Sequence, residues 1–115
     1  MIDEETIHPS KKSNEFNGKV WLLTSPIVYS SSENFVMFSK NTDFATLVGT
    51  PTGGDGGVAD PILFSLPNSG LIIRFSMFYG LNSDGTGNEA NGTIPDIKID
   101  NDEDALARTL LEINR

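Results

Sequence analysis

The sequence predicts an α/β domain with parallel strands, and three observations lead to this fold class. An apolar run, Val20–Leu23, predicts a strand that is buried on both faces. The stretch from about Ser31 to Asn41 predicts a helix, and a second apolar run, Phe44–Gly49, predicts another strand. Strand, helix and strand in so short a segment form a βαβ unit, with parallel strands and a right-handed crossover.

The segments on either side of the βαβ unit complete the predicted organisation. Residues 1–18 are polar and aperiodic, so we interpret them as a linker or loop remnant and place the domain at residues 19–115. A glycine-rich loop at residues 50–57 follows the second strand. Next come two apolar runs, Ile62–Leu66 and Leu71–Tyr79, which flank the turn formers Pro67–Gly70. This pattern predicts a β-hairpin.

The end of the chain predicts a helix. Asp100–Glu103 has the pattern of a capping box, which predicts that a helix begins shortly after it. In the following segment, Ala105–Ile113, an apolar stripe is formed by Leu106, Leu110 and Ile113.

Composition limits the classes of function. The 115 residues carry a formal net charge of −8, which argues against nucleic acid or an anionic membrane surface as a partner. The absence of cysteine excludes disulfides, thiolate catalysis and cysteine-based zinc sites. No apolar segment is long enough to span a membrane, and no signal for export is present, although a parent polypeptide could still be exported. The compartment is therefore unknown.

We expect neither a metal nor a cofactor. The loop Asn82–Gly87 is similar to a calcium loop, but its twelfth position is Thr93 rather than a bidentate glutamate. The glycine-rich loop lacks the following Lys-Ser/Thr of a nucleotide site and opens no helix.

The run Ser30–Glu33 lies between the first strand and the first helix. At a helix start the backbone N–H groups favour negative charge, so a serine here suits a hydroxyl that attacks a carbonyl and leaves an oxyanion. Serine is also a preferred helix cap. From position alone, Ser30 is either a cap or a nucleophile, and the Ser31 N–H is a candidate oxyanion donor.

Four segments in order resemble the C-terminal processing and tricorn-type serine peptidases, over about residues 18–100. They are the Ser-x-x-Glu run Ser30–Glu33, the strand and loop Thr46–Gly54, the hairpin turn through Ser69–Leu71, and the Gly-x-x-Pro-Asp signature within Gly92–Ile97. The resemblance implies a ClpP/crotonase-like core, with Ser30 as the nucleophile and Gly53, Gly54 and Asp55 at the substrate.

The residue that activates the serine differs between the two branches of that family. The processing branch uses a lysine in the glycine-rich loop, and Asp55 occupies that place here. An aspartate cannot supply the neutral amine of a Ser-Lys dyad. The tricorn branch uses an upstream histidine and a glutamate shortly before the closing signature, and Glu89 matches that glutamate. Because His8, the only histidine, lies in the polar leader, we expect the base to come from outside this chain.

Three functions are considered, and we expect the first for the parent protein, with the second as the alternative. The first is part of a serine peptidase catalytic domain that acts on a peptide or protein substrate and is inactive as this chain alone. The second is a non-catalytic domain of the same fold that binds an extended peptide by strand addition along the hairpin edge. The third is a crotonase-like acyl-thioester enzyme. Exposed strand edges also offer a surface through which two copies could pair.

Overall fold

A computed structural model describes residues 8, 10, 11, 16–57 and 61–115 of the chain. These residues contain both helices and strands, which confirms the α/β composition, although three strands follow one another between the first two helices. The elements in chain order are β1 (Trp21–Thr24), α1 (Ser31–Asn41), β2 (Thr46–Gly49), β3 (Ile62–Ser65), β4 (Ile72–Phe75), α2 (Asn88–Asn91), β5 (Ile97–Lys98) and α3 (Ala105–Ile113).

The main sheet confirms the predicted βαβ unit. Its strand order is β1-β2-β5, and both pairs are parallel. Trp21 pairs with Thr46 and Thr24 with Gly49, so β1 and β2 are in register along their whole length. Helix α1 connects these two strands. Its N-terminus therefore follows the carboxyl end of β1, which is the edge where ligands bind in open α/β sheets.

The core lies around β2 rather than β1. Leu47 and Val48 of β2 are fully buried, and Val36 of α1 packs with Ala45 and Leu47. The prediction that Val20–Leu23 is buried on both faces is wrong, because Leu23 is 42% exposed. Among the described residues β1 is an edge strand of the sheet, so fewer neighbouring side chains cover the face that carries Leu23 than cover the central strand β2.

Strands β3 and β4 form the predicted hairpin as a separate two-stranded antiparallel sheet. The turn between them is closed by hydrogen bonds between Leu66 and Leu71 and from the Gly70 N–H to the Leu66 carbonyl. Every residue of both strands is exposed, although most of them are apolar. An isolated two-stranded hairpin is marginal in water, so this sheet presents apolar surface without a covering layer among the described residues.

Asp96, in the closing Pro-Asp pair, ties three elements together. Its carboxylate accepts a hydrogen bond from the Leu47 N–H at 2.9 Å and pairs with the Lys40 Nζ at 2.7 Å. Burial opposes ionisation of Asp96, but these two hydrogen bonds and the charge of Lys40 together lower its pKa below the ordinary value. The signature thus fixes the start of β5 against β2 and the end of α1.

Helix α3 spans Ala105–Ile113, as the sequence predicts, but its cap differs from the prediction. Its N-cap is Asp104, whose side chain accepts a hydrogen bond from the Ala107 N–H at 2.8 Å, so the predicted capping box at Asp100–Glu103 is wrong. The buried residue of the helix is Thr109, whereas the apolar stripe predicted along it is exposed. No helix in the described residues combines the length and the apolar character needed to cross a membrane.

Candidate functional site

Ser30 adopts a strained backbone conformation at the start of α1. Its φ of 59° and ψ of −123° lie in a region that residues with a side chain seldom adopt. Such a conformation costs on the order of 1–3 kcal/mol, and it persists only where the surroundings enforce it. The Ser30 N–H donates to the Gly54 carbonyl at 3.0 Å, and the Ser30 carbonyl accepts from the Asn34 N–H at 3.1 Å. Hydrogen bonds at both the N–H and the carbonyl of Ser30 therefore maintain the strained conformation.

The Ser30 hydroxyl does not act as a helix cap. Ser30 occupies the N-cap position, but its side chain makes no capping hydrogen bond. The hydroxyl that secures this turn belongs to Ser32, which donates to the Tyr29 carbonyl at 2.8 Å and accepts from the Tyr29 N–H at 3.1 Å. Because Ser30 is exposed, its hydroxyl is accessible to another molecule. The first N–H groups of α1, that of Ser31 among them, have no partner within the helix.

The glycine-rich loop binds the segment that carries Ser30. The Gly53 N–H donates to the Val28 carbonyl at 2.7 Å, and Tyr29 forms a parallel bridge with Gly54. Neighbouring backbone lies too close to both positions for any residue but glycine. A Cβ at Gly53 would lie 2.5 Å from the Pro26 carbonyl oxygen. A Cβ at Gly54, where φ is +87°, would lie 2.5 Å from the Asn88 carbonyl oxygen. The Gly53 N–H and the Gly54 carbonyl thus bind the chain itself, and a substrate contact by either glycine stays a prediction.

Asp55 and Glu89 line the same cleft, although 34 residues separate them in the sequence. The cleft has a volume of about 260 Å³, and its other lining residues are Gly56, Ser76, Phe78, Tyr79 and Gly80. Ser30 is not among the lining residues, but the Gly54 carbonyl that binds its N–H directly precedes Asp55.

Tyr29 connects Ser30 to this acidic cleft. Partial burial raises the pKa of the Tyr29 phenol, and the negative charges of Asp55 and Glu89 and a hydrogen bond to the Asp55 side chain raise it further. A tyrosine phenol is protonated at neutral pH in any case, and the neighbouring carboxylates favour this form, which can donate a hydrogen bond. Sequence reasoning missed Tyr29, and only its position next to Ser30 could have drawn attention to it.

A buried polar network lies beneath the cleft, and sequence reasoning missed this too. Glu33 is fully buried, and its Oε1 accepts from Asn88 Nδ2 at 2.8 Å and from Thr93 Oγ1 at 2.5 Å. Asn88, also fully buried, donates to Asn82 Oδ1 at 2.9 Å and accepts from the Gly56 N–H at 2.7 Å. The Glu33 Oε2 is buried with no hydrogen-bond partner in the described part of the chain. Only the Ser-x-x-Glu spacing offered a signal for any of these residues.

Other candidates are not brought to the site. His8 is exposed in the N-terminal segment. The loop that is similar to a calcium loop satisfies its own oxygens: Asp84 Oδ1 accepts from the Thr86 N–H, and Asn82 Oδ1 accepts from Asn88. Among the described residues, no three histidine, cysteine, aspartate or glutamate side chains gather as a metal site would require.

The arrangement suits acyl transfer. An exposed hydroxyl on a strained turn, unpaired N–H groups at a helix start and a carboxylate on an adjacent loop are three parts of a nucleophilic site. A general base within hydrogen-bond reach is the fourth part, and no contact of a described residue with the Ser30 hydroxyl supplies one.

Comparison with known proteins agrees with this interpretation. The sequence matches the profile of Peptidase family S41, the C-terminal processing peptidase family, over residues 2–99. The match begins inside the segment predicted to be a linker, and it includes Ser30, the glycine-rich loop, Glu89 and the Pro-Asp signature. No curated protein matches the chain significantly. Because the profile covers most of the sequence, the suspected family is confirmed: the chain belongs to peptidase family S41 and is a serine peptidase domain.

Proposed function

We propose that the protein is a serine endopeptidase of the tail-specific or tricorn type, with Ser30 as its nucleophile and a ClpP/crotonase-like core. The observation that carries this proposal is the conformation of Ser30 at the start of α1. Its backbone is strained, with φ 59°, and its side chain is exposed and makes no capping hydrogen bond. Strained residues cluster at active sites, where the strain fixes a reactive group in place.

The reaction begins when Ser30 Oγ attacks the scissile carbonyl carbon and passes its proton to the general base. The carbonyl oxygen becomes an oxyanion, which the Ser31 N–H stabilises together with donors from outside this chain. The intermediate collapses to an acyl-enzyme on Ser30, and the leaving amine takes the proton from the base. Water then attacks the ester, the acid product leaves and Ser30 regains its hydrogen.

Glu89 is proposed to orient that base. A carboxylate beside a serine–histidine pair holds the imidazole in the productive tautomer and stabilises its charged form. Glu89 is exposed at the first turn of α2 and lines the cleft with Asp55, so a residue from outside residues 1–115 could reach it. The base is proposed to come from such a segment, and we expect the 115-residue chain alone to be inactive.

The peptide substrate is proposed to lie along the cleft beside the Ser30 turn. Phe78 and Tyr79 supply apolar contact there, and the glycine-rich loop supplies its remaining backbone groups. Asp55 adds a carboxylate where the processing branch has its lysine.

The test is peptide hydrolysis by the full-length protein. Ser30→Ala should lower kcat ~10⁴-fold or more, and Glu89→Gln should lower it ~10²-fold or more. Ser83→Ala, which removes another exposed serine hydroxyl, is the control and should leave kcat unchanged. A Ser30→Ala variant that retains the hydrolysis rate would refute Ser30 as the nucleophile. Unchanged turnover in Glu89→Gln would show that Glu89 is an ordinary surface acid of α2.

A second candidate function is peptide binding without chemistry, and the β3–β4 sheet favours it. This sheet has two strands, so within the described chain both of its edges lack a neighbouring strand. An extended peptide could add to either edge through backbone hydrogen bonds. Asp55 in place of lysine and the lack of a nearby histidine also suit a pseudo-peptidase. Retained peptide affinity in Ser30→Ala, together with no hydrolysis by the unmodified protein, would select this function.

A further inference from the structure

We propose that Asn88 and Glu33 are positioning residues that hold Ser30, Asp55 and Glu89 in one arrangement. The proposal rests on the proposed function, because it assigns these two buried side chains to the same reaction. It starts from the hydrogen bonds between them and from their places in the sequence.

Each residue of the candidate site has a close chain neighbour in the buried network. Glu89 directly follows Asn88, and Asp55 directly precedes Gly56, whose N–H donates to Asn88 Oδ1. Glu33 lies in the first turn of α1, three residues after Ser30. The hydrogen bond between Asn88 and Glu33 therefore joins the nucleophile helix to the helix that carries the candidate acid.

The packing around this junction leaves little room for adjustment. A Cβ at Gly56 would lie 2.6 Å from Glu33 Cγ, and a Cβ at Gly54 would lie 3.2 Å from the Glu89 carbonyl oxygen. The Asn88 N–H also donates to the Gly80 carbonyl at 2.9 Å, so both its backbone and its side chain are fixed. A small displacement of Asn88 would move Glu89 and the loop that binds Ser30.

The chemistry of the junction requires an amide at position 88. Asn88 uses its NH₂ group to donate to two close acceptors, Glu33 Oε1 and Asn82 Oδ1, and to Thr93 Oγ1 at 3.4 Å. Its oxygen accepts from the Gly56 N–H. An aspartate has nearly the same shape but no donor when ionised. Asn88→Asp would keep the hydrogen bond from the Gly56 N–H, but it would place a carboxylate oxygen against Glu33 Oε1 and Asn82 Oδ1.

At position 33 the exchange from acid to amide, Glu33→Gln, should disturb the hydrogen bonds less than Asn88→Asp does at position 88. One of its oxygens, Oε1, accepts both hydrogen bonds, whereas Oε2 has no partner in the described part of the chain. A glutamine can keep one accepting oxygen, or it can turn its NH₂ group toward position 88. In the double variant Glu33→Gln/Asn88→Asp, glutamine donates and aspartate accepts, so the pair is restored with its polarity reversed.

The experiment measures kcat and KM of the full-length protein. We expect Asn88→Asp to lower kcat ~10-fold or more with KM changed less than about twofold, because misplacement by a fraction of an ångström affects chemistry more than binding. The matched control is Asn91→Asp at an exposed position of the same helix. It also removes an amide donor, to the Gly87 carbonyl at 2.8 Å, but one outside the Asn88–Glu33 network, so it should leave both parameters unchanged. Adding Glu33→Gln to Asn88→Asp should restore kcat at least ~3-fold, which general loss of stability would not do.

A second arm tests whether Asn88 acts through Glu89. On a Glu89→Gln background the further loss from Asn88→Asp should largely disappear, because Glu89 directly follows Asn88 and is the group that a displacement of Asn88 moves most. Fully multiplicative losses would overturn the proposal, as would a folded Asn88→Asp variant with the kcat of Asn91→Asp. If Asn88→Asp does not fold, Thr93→Val is measured in the same way, with unchanged kcat counting against the proposal. This variant removes the hydroxyl that donates to Glu33 and accepts from Asn88 at 3.4 Å.

Failure of this inference can be told apart from failure of the proposed function. If a fluorophosphonate labels Ser30 in the unmodified protein and Asn88→Asp is labelled at the same rate, the reaction stands and the positioning role is refuted. If the unmodified protein is not labelled at Ser30, the proposed function itself fails.

Discussion

Replacing Ser30 with glycine should stabilise the protein while it abolishes activity. Ser30 has φ 59° and ψ −123°, a conformation that a residue with a Cβ avoids and that glycine adopts at little cost. The Ser30 side chain makes no capping hydrogen bond, so its removal leaves no helical N–H newly unpaired. Ser30→Ala, by contrast, keeps the Cβ and therefore keeps the strain.

The expected gain follows from two opposing contributions. Relief of a strained φ/ψ pair is worth about 1–3 kcal/mol. The greater freedom of glycine in the unfolded chain costs about 0.5–1 kcal/mol. The difference between the two contributions is about 0–2.5 kcal/mol, so we expect the free energy of unfolding to rise by about 1 kcal/mol in Ser30→Gly. In Ser30→Ala it should change by less than about 0.5 kcal/mol.

Urea unfolding followed by the fluorescence of Trp21, the only tryptophan of this chain, measures these differences. The control is Ser31→Gly, one residue further into the helix, which should lose about 0.5 kcal/mol because glycine is a poor helix former. If Ser30→Gly is destabilised as much as Ser31→Gly, the backbone at Ser30 is not strained, and the main structural support for a nucleophile is lost.

Three further predictions concern the frame around the site. Gly92→Ala should lower the free energy of unfolding by at least about 2 kcal/mol more than Gly85→Ala. Both glycines have positive φ, but only at Gly92 would a Cβ meet the Thr52 carbonyl oxygen, at 2.1 Å. Equal losses in urea unfolding would refute this contact. Asp96→Ala should lower the free energy of unfolding by about 1–3 kcal/mol, mainly because it leaves the Leu47 N–H unpaired. Asp96→Asn keeps an acceptor for this N–H and should lower it less. Equal losses would show that the hydrogen bond contributes little. The pKa of Asp96 is lowered in the folded state, so the unmodified protein should have a higher free energy of unfolding than Asp96→Asn. This difference should be complete above pH ~4 and should decline as the pH falls through the folded pKa. A difference that does not change with pH would contradict this prediction.

The order of the elements could be predicted from the sequence because local signals determine it. Apolar runs and turn formers indicate β1, α1, β2 and the hairpin without long-range information. Which strand lies at the centre of the sheet is a long-range property. The apolar run that forms β1 suited a central strand, yet the structure places it at an edge. The bounds of α3 could be predicted, but its cap could not: Asp100, Asp102 and Asp104 can all cap a helix, and only backbone geometry selects Asp104.

The candidate site could be predicted in part. Ser30, Asp55 and Glu89 were identified from motifs in the order of a known family, and the structure places the two acids in one cleft. Glu33 and Asn88 could not be paired from the sequence, because 55 residues separate them and nothing near either one indicates burial. A buried carboxylate is uncommon enough that a charged residue in a first helical turn is expected to be exposed.

The most direct test is to treat the full-length protein with a fluorophosphonate probe and locate the modified residue by peptide mass spectrometry. We predict a single labelled serine, Ser30, and complete loss of the label in Ser30→Ala. Strong labelling at a different serine, undiminished in Ser30→Ala, would contradict the assignment of the nucleophile.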